Sequence, residues 1–298
     1  MRWVREVTPR PDLAALYRKA ILITVIGNVL LAVSKAVVAA LSGSVALYAD
    51  AANSVSDVIY SFLMVFGLWI AQRPPDLSHP QGHSRFEPLV GLMVTISMSF
   101  AGYEAARAAI ERFAVGGVAI EPGWPTLVLL FSATVKAGMF TVISRLAKQL
   151  DSPTLATTAK DHLSDVLTSI AAFMGALGSS YLHPLADPVG GILVALWIFR
   201  AAFMAGKENL SYLVGAGASK ELREQVVEVA SAVPGVQRVH HTMTEYVGPR
   251  LVVDLHINVN GSMTVDDAHS IADEVIARLE DMPEIDRAYV HIEPEGYD

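Results

Sequence analysis

Long apolar stretches alternate with short polar breaks over the first two thirds of this chain, and each stretch is long enough to cross a hydrocarbon core, which takes about 20 helical residues. Six spans follow from that pattern: Ala20 to Leu41, Val45 to Ala71, Leu89 to Phe113, Pro125 to Leu146, Ala156 to Tyr181 and Pro188 to Tyr212. The breaks coincide with turn signals at Ser42-Gly43, Pro74-Pro75, Gly116-Gly117, Asp151-Ser152-Pro153 and Asp187-Pro188. Most are short, so consecutive helices are expected to be antiparallel neighbours. The first run is too long for the apolar core of a signal peptide and is followed at once by another, so it is expected to remain as a span.

From about Ala218 the pattern changes to that of a water-soluble domain. Lys220 to Val233 has helical periodicity, Gln237 to Tyr246 and Arg250 to Val259 read as strands about Gly248-Pro249, Val265 to Met282 is an amphipathic helix, and Arg287 to Ile292 is a last strand. The order α-β-β-α-β predicts helices on one face of a small sheet. The expected organisation is a terminal segment over 1–19, a six-helix membrane bundle over 20–212 and an α+β domain over 213–298.

Composition agrees with that division, since 52% of the residues are hydrophobic and only 17% charged. Arg2, Arg5, Arg10, Arg18 and Lys19 precede the first span; Arg73 and Arg85 follow the second; Arg145, Lys148 and Lys160 flank the break between the fourth and fifth. The positive-inside rule puts all of these in the cytoplasm, with both termini, and predicts a multi-pass protein of the cytoplasmic membrane. The chain has no cysteine, which excludes disulfides and thiolate metal sites. A net charge of -8 excludes nucleic acid as an expected partner.

One phrase occurs twice inside the apolar runs. Asn53-Ser-Val-Ser-Asp57 lies in the second span and Asp161-His-Leu-Ser-Asp165 in the fifth. A spacing of four puts both side chains of each pair on one helix face, a turn apart. Two such helices side by side would direct Asn53, Asp57, Asp161 and Asp165 at one point. Polar groups can also serve simply as hydrogen bonds between membrane helices. Three carboxylates converging without a cation would repel, however, and drive at least one to hold a proton. A site occupied in turn by a divalent cation and by protons satisfies that constraint.

Asp50 lies on nearly the same stripe as Asp57 and either lines a route to the site or makes a polar contact at the helix end. His162 points about 100° away from Asp161 and is expected beside the site rather than as a ligand. Lys35, Glu104, Arg107, Lys136 and Lys207 are expected to snorkel or pair between helices, with no transport role.

Two further clusters carry metal-binding side chains. The loop after the second span reads Asp76-Leu-Ser-His79-Pro-Gln-Gly-His83-Ser-Arg-Phe-Glu87, which suits either a cation bound through nitrogen and oxygen or a polar cap in which His83 and Glu87 bond to each other or to backbone. The C-terminal domain holds His240, His241, His256, His269, His291 and Glu293, spread over separate elements that a fold could bring together.

With these motifs the chain resembles the cation diffusion facilitator family, which exports divalent metals in exchange for protons. The resemblance extends over nearly the whole length. It rests on the six spans, the His79-Pro-Gln-Gly-His83-Ser-Arg-Phe-Glu87 signature, the paired Ser-Asp-Val phrases and the C-terminal domain. It implies a transport site at Asn53, Asp57, Asp161 and Asp165, a loop site at Asp76, His79 and His83, and a C-terminal site at His240, His256, His269, His291 and Glu293. It further implies a ferredoxin-like C-terminal domain, a homodimer in the lipid bilayer, and metal ions and protons as the other partners, with no catalytic cofactor. Zinc-transporting relatives place histidine where this chain has Asp161, and the Asn-Asp-Asp-Asp set is similar to that of manganese exporters. An all-oxygen site suits a hard cation. Mn2+ is therefore the expected cargo, Fe2+ second, Zn2+ or Co2+ third. A membrane-embedded metal-dependent hydrolase and a non-transporting metal sensor are the alternatives.

Overall fold

The computed structural model describes residues 4, 11–42, 45–117 and 124–296, except the side chains at 11, 42, 45–50, 52, 53, 124–126 and 176. Two compact units divide the chain, Met1–Leu210 and Ser211–Asp298. The first is all helical: α1 (Pro11–Ser42), α2 (Val45–Ala71), α3 (Phe86–Ala114), α4 (Trp124–Leu150), α5 (Pro153–Tyr181) and α6 (Ala186–Leu213). All six are long and apolar enough to cross a membrane.

These helices are apolar outside and bury polar groups among apolar ones inside. On α1 the buried stripe is Ala20, Thr24, Asn28, Leu31, Lys35 and Ala39, while Leu22, Ile26, Val33 and Val37 face outward. Both stripes keep helical spacing. On α5 the buried face holds Thr154, Thr157, Thr158 and His162. Lipid solvates the apolar faces, so packing and interhelical hydrogen bonds hold the bundle together.

Several boundaries differ from those expected. Helix α1 begins at Pro11 rather than near Ala20, because Leu13, Leu16 and Tyr17 extend its apolar face into a core with Leu68, Val90, Ile143 and Leu155. Helix α3 begins at Phe86, so Glu87 stands in its first turn and not in the preceding loop. Helix α5 starts where Ser152 accepts a hydrogen bond from the Leu155 N–H, with Pro153 in the first turn.

The second unit comprises α7 (Lys220–Ser231), β1 (Arg238–Val247), β2 (Arg250–Val259), α8 (Val265–Glu280) and β3 (Ile285–Pro294). Strands β1 and β2 form an antiparallel hairpin, tightened by Gly248 at φ +71°. Strand β3 runs parallel to β2, a pairing that requires a crossover, and α8 provides it. Val253, Leu255 and Ile257 of β2 alternate onto a core with Val226 and Ala230 of α7 and Val275 and Leu279 of α8. His256, at an intervening position, faces the other side of the sheet.

Candidate metal centres

The repeated phrase lies on α2 and α5. Asp161, His162 and Asp165 of α5 each offer a donor atom within 4.8 Å of the others. Asp57 of α2 shares one cleft with Asp161 and His162, lined also by Thr24, Asn28 and Ser61. Asn28 of α1 donates to Ser61 Oγ at 2.8 Å, and Ser61 donates to the Asp57 carbonyl at 2.7 Å, which fixes the α2 turn that carries Asp57. The side chains of Asn53 and Asp50 lie outside the described residues.

Two residues take places that helical spacing does not disclose. Lys136 of α4 is buried; its Nζ donates to Asp57 Oδ2 at 3.0 Å and lies 2.6 Å from Asp165 Oδ2, a charge contact away from hydrogen-bond alignment. Lys136 therefore pairs between helices as expected, and its partners are the two aspartates of the repeated phrase. His162 is 1% exposed, and neither ring nitrogen has a hydrogen-bond partner. It lies beside Asp161 and Asp165, with a ring nitrogen within 4.8 Å of their donor atoms. An orphaned imidazole is costly to bury. Only the clustering of polar residues on one face of α5 hints at this in the sequence.

The loop between α2 and α3 folds around one carboxylate. Asp76 Oδ1 accepts from the N–H groups of His79 at 2.7 Å and Ser78 at 2.9 Å. These bonds, the His79 one foremost, hold the Asp76 carboxyl below the ordinary range. His79 Nδ1 lies 3.5 Å from Asp76 Oδ1 and His83 Nε2 3.4 Å from Asp76 Oδ2. The three residues thus offer donors within 4.8 Å of one another, with His83 buried and its Nδ1 unpartnered. The alternative cap, His83 bonded to Glu87, does not form. Glu87 instead accepts from Tyr17 and Ser152, while Thr154 donates to its carbonyl.

On the open face of the C-terminal sheet, Glu293 is the hub. His240 Nε2 lies 3.0 Å from Glu293 Oε2, and His256 Nδ1 and His291 Nε2 lie 3.5 Å and 3.4 Å from Oε1. His256 and His291 are register partners on β2 and β3. His240 comes from β1, where the register shifts between Val239 and His241, and Asn258 Oδ1 meets its Nδ1 at 3.0 Å. The bulge turns consecutive histidines toward the same neighbour, with the His240 and His241 rings 5.6 Å and 4.6 Å from that of His256. His240, His256 and Glu293 form a group able to hold a metal. His269 is not brought to it; it lies on α8 with its Nε2 3.6 Å from Asp273.

Comparison with known proteins agrees with both units. The family model for the cation efflux transmembrane domain matches residues 21–214, and that for the cation efflux protein cytoplasmic domain matches 218–295. An uncharacterised transporter, MJ0449, of Methanocaldococcus jannaschii is 35% identical, covering 92% of this chain and 97% of its own length. The manganese efflux system protein MneS of Bacillus subtilis is 28% identical, with 92% and 94% covered. A solved variant of the MamM C-terminal domain is 31% identical over 26% of this chain and 94% of its own, at a TM-score of 0.25.

Proposed function

This chain belongs to the cation efflux, or cation diffusion facilitator, family of membrane transporters, and on that premise we propose that it exports Mn2+ from the cytoplasm in exchange for protons. Efflux of divalent metal cations, a multi-pass membrane location and a homodimer follow from the family. The reading of the cargo, the counter-ion and the site goes further.

The observation that carries it is the meeting of Asp57 from α2 with Asp161 from α5 in one cleft, with Asp165 a turn from Asp161 and joined to Asp57 through Lys136. Carboxylates crowded at membrane depth need a cation or a proton, and alternation between the two is antiport. Asp57 and Asp165 are the principal ligands, Asp161 is a ligand and proton acceptor, and Asn53 adds a neutral oxygen. The cleft opens in turn to the cytoplasm, where both termini lie, and to the far side. Oxygen-rich donors favour Mn2+, with Fe2+ second and Zn2+ or Co2+ third, and the likeness to MneS supports that order. The loop group and the histidines around Glu293 bind cytoplasmic metal and favour the transporting dimer.

The test is metal flux in vesicles reconstituted with the purified protein, under an imposed proton gradient. Mn2+ uptake is expected in wild type and lost in Asp57→Ala and Asp165→Ala; retained uptake in either variant overturns the site. Asp161→His is expected to shift preference from Mn2+ toward Zn2+, and an unchanged preference removes Asp161 from metal selection.

A further inference from the structure

Lys136 reaches the carboxylates from α4, a third helix that contributes no proposed ligand. Its side chain is 5% exposed and its ammonium stands between Asp57 Oδ2 at 3.0 Å and Asp165 Oδ2 at 2.6 Å. A buried ammonium persists only when its charge is matched, and here the matching groups are the same oxygens assigned to the transported metal. A divalent ion bridging those two oxygens would sit roughly 2.0–2.6 Å from each, in the space that Nζ fills. Two cations cannot share that space, because their repulsion at such short range is large.

We propose that Lys136 is a tethered counter-cation that occupies the metal-free site and leaves Asp57 and Asp165 when the metal binds. The geometry accounts for two things that the aspartates alone leave unexplained. Without metal the ammonium joins α2 to α5 and offsets the repulsion between Asp57 and Asp165. On metal entry the flexible four-carbon stem lets Nζ withdraw, and its return competes with the bound ion and promotes release. Lys136 thereby sets how tightly the site holds its cargo without being a ligand.

This inference rests on the reading that Asp57 and Asp165 bind the transported metal, and the experiment separates the two. Mn2+ binding is measured at fixed pH on the full-length protein in lipid nanodiscs, for wild type, Asp57→Ala, Lys136→Met and Lys136→Arg. Asp57→Ala is expected to abolish binding at the membrane site. Lys136→Met, neutral but similar in length, is expected to tighten it about tenfold or more and to slow release, while Lys136→Arg stays near wild type. If Asp57→Ala binds as wild type does, the site reading fails and this inference with it. If Asp57→Ala loses binding but Lys136→Met binds no more tightly than wild type, Lys136 is a structural clamp and only this inference falls. A measurement on wild type covers the case in which Lys136→Met does not fold. Reductive methylation of Lys136, followed by mass spectrometry, is expected to accelerate when Mn2+ is added, and an unchanged or slower rate overturns displacement.

Discussion

Tyr17 donates a 3.1 Å hydrogen bond from α1 to Glu87 Oε2 in the first turn of α3, and Ser152 at the start of α5 donates to the other oxygen of the same carboxyl group. Three helices are thereby tied through one buried acid. Tyr17→Phe is expected to cost about 1–2 kcal/mol, the worth of one such bond. Glu87→Ala should cost more, because it removes both of these hydrogen bonds at once, and Glu87→Gln should recover part of the loss. Unfolding in mixed detergent micelles checks the order; an undiminished stability for Glu87→Ala would remove the carboxyl from this role.

Gly91 of α3 makes room for Asn209 of α6. A Cβ at Gly91 would stand 1.9 Å from Asn209 Oδ1, while Asn209 Nδ2 donates to Thr157 Oγ1 of α5 at 2.8 Å. Gly91→Ala is expected to destabilise by about 1–3 kcal/mol through overpacking. Shortening the obstacle should relieve the strain, so Gly91→Ala combined with Asn209→Ala should cost less than the sum of the two single changes. Simple additivity in the same unfolding assay would count against the contact.

Asp76 sets the acid behaviour of the metal-free loop. Its carboxyl is held below the ordinary value by the His79 and Ser78 N–H groups, so it binds its proton less readily in the fold than in the unfolded chain. The contribution is then fully present above the unfolded value of about 3.9 and is lost as pH falls through the lower folded one. In chelator, the protection of the His79 amide, taken against exchange of the unfolded chain at the same pH, is expected to hold at neutral pH and to fall only on strong acidification. Asp76→Asn should remove that pH dependence. Protection that falls as pH drops from 7 to 5 would instead point to the histidines.

Glu293 touches three imidazoles, whereas His241 contributes a ring contact with His256. In an Asp57→Ala background, where only cytoplasmic sites remain, Glu293→Ala and His240→Ala are each expected to weaken metal binding about tenfold or more. His241→Ala should weaken it less. Calorimetric titration with Zn2+ reads the difference, and equal losses for His241 and Glu293 would mean that the bulge serves another purpose.

The elements and their class were legible from periodicity. Apolar runs longer than a bilayer core gave six helices, and the switch to alternating patterns after Ala218 gave the sheet with its two helices. Asp161 and Asp165 were legible as a pair because helical spacing is a local property. The place of His162 was legible only in part, since its angle on α5 is a local property and the burial given by the helices packed against it is not. The loop boundary at Glu87 was set too late because the first turn of α3 is stabilised by Tyr17 and Ser152, both distant in sequence.

By itself, then, the sequence determined that six segments are long and apolar enough to cross a membrane, where the carboxylates and histidines lie along the chain, and that two helices carry matching phrases at a spacing of four. Only the tertiary structure decided that Lys136 stands between Asp57 and Asp165, that His162 is buried without a partner beside them, and that a bulge turns His240 onto Glu293. Hydrophobic periodicity and i, i+4 geometry act within a single element and can be read from neighbours in the chain. A charge pair between α4 and α2, or a histidine displaced by one irregular strand pairing, depends on which surfaces meet, and no local pattern encodes that.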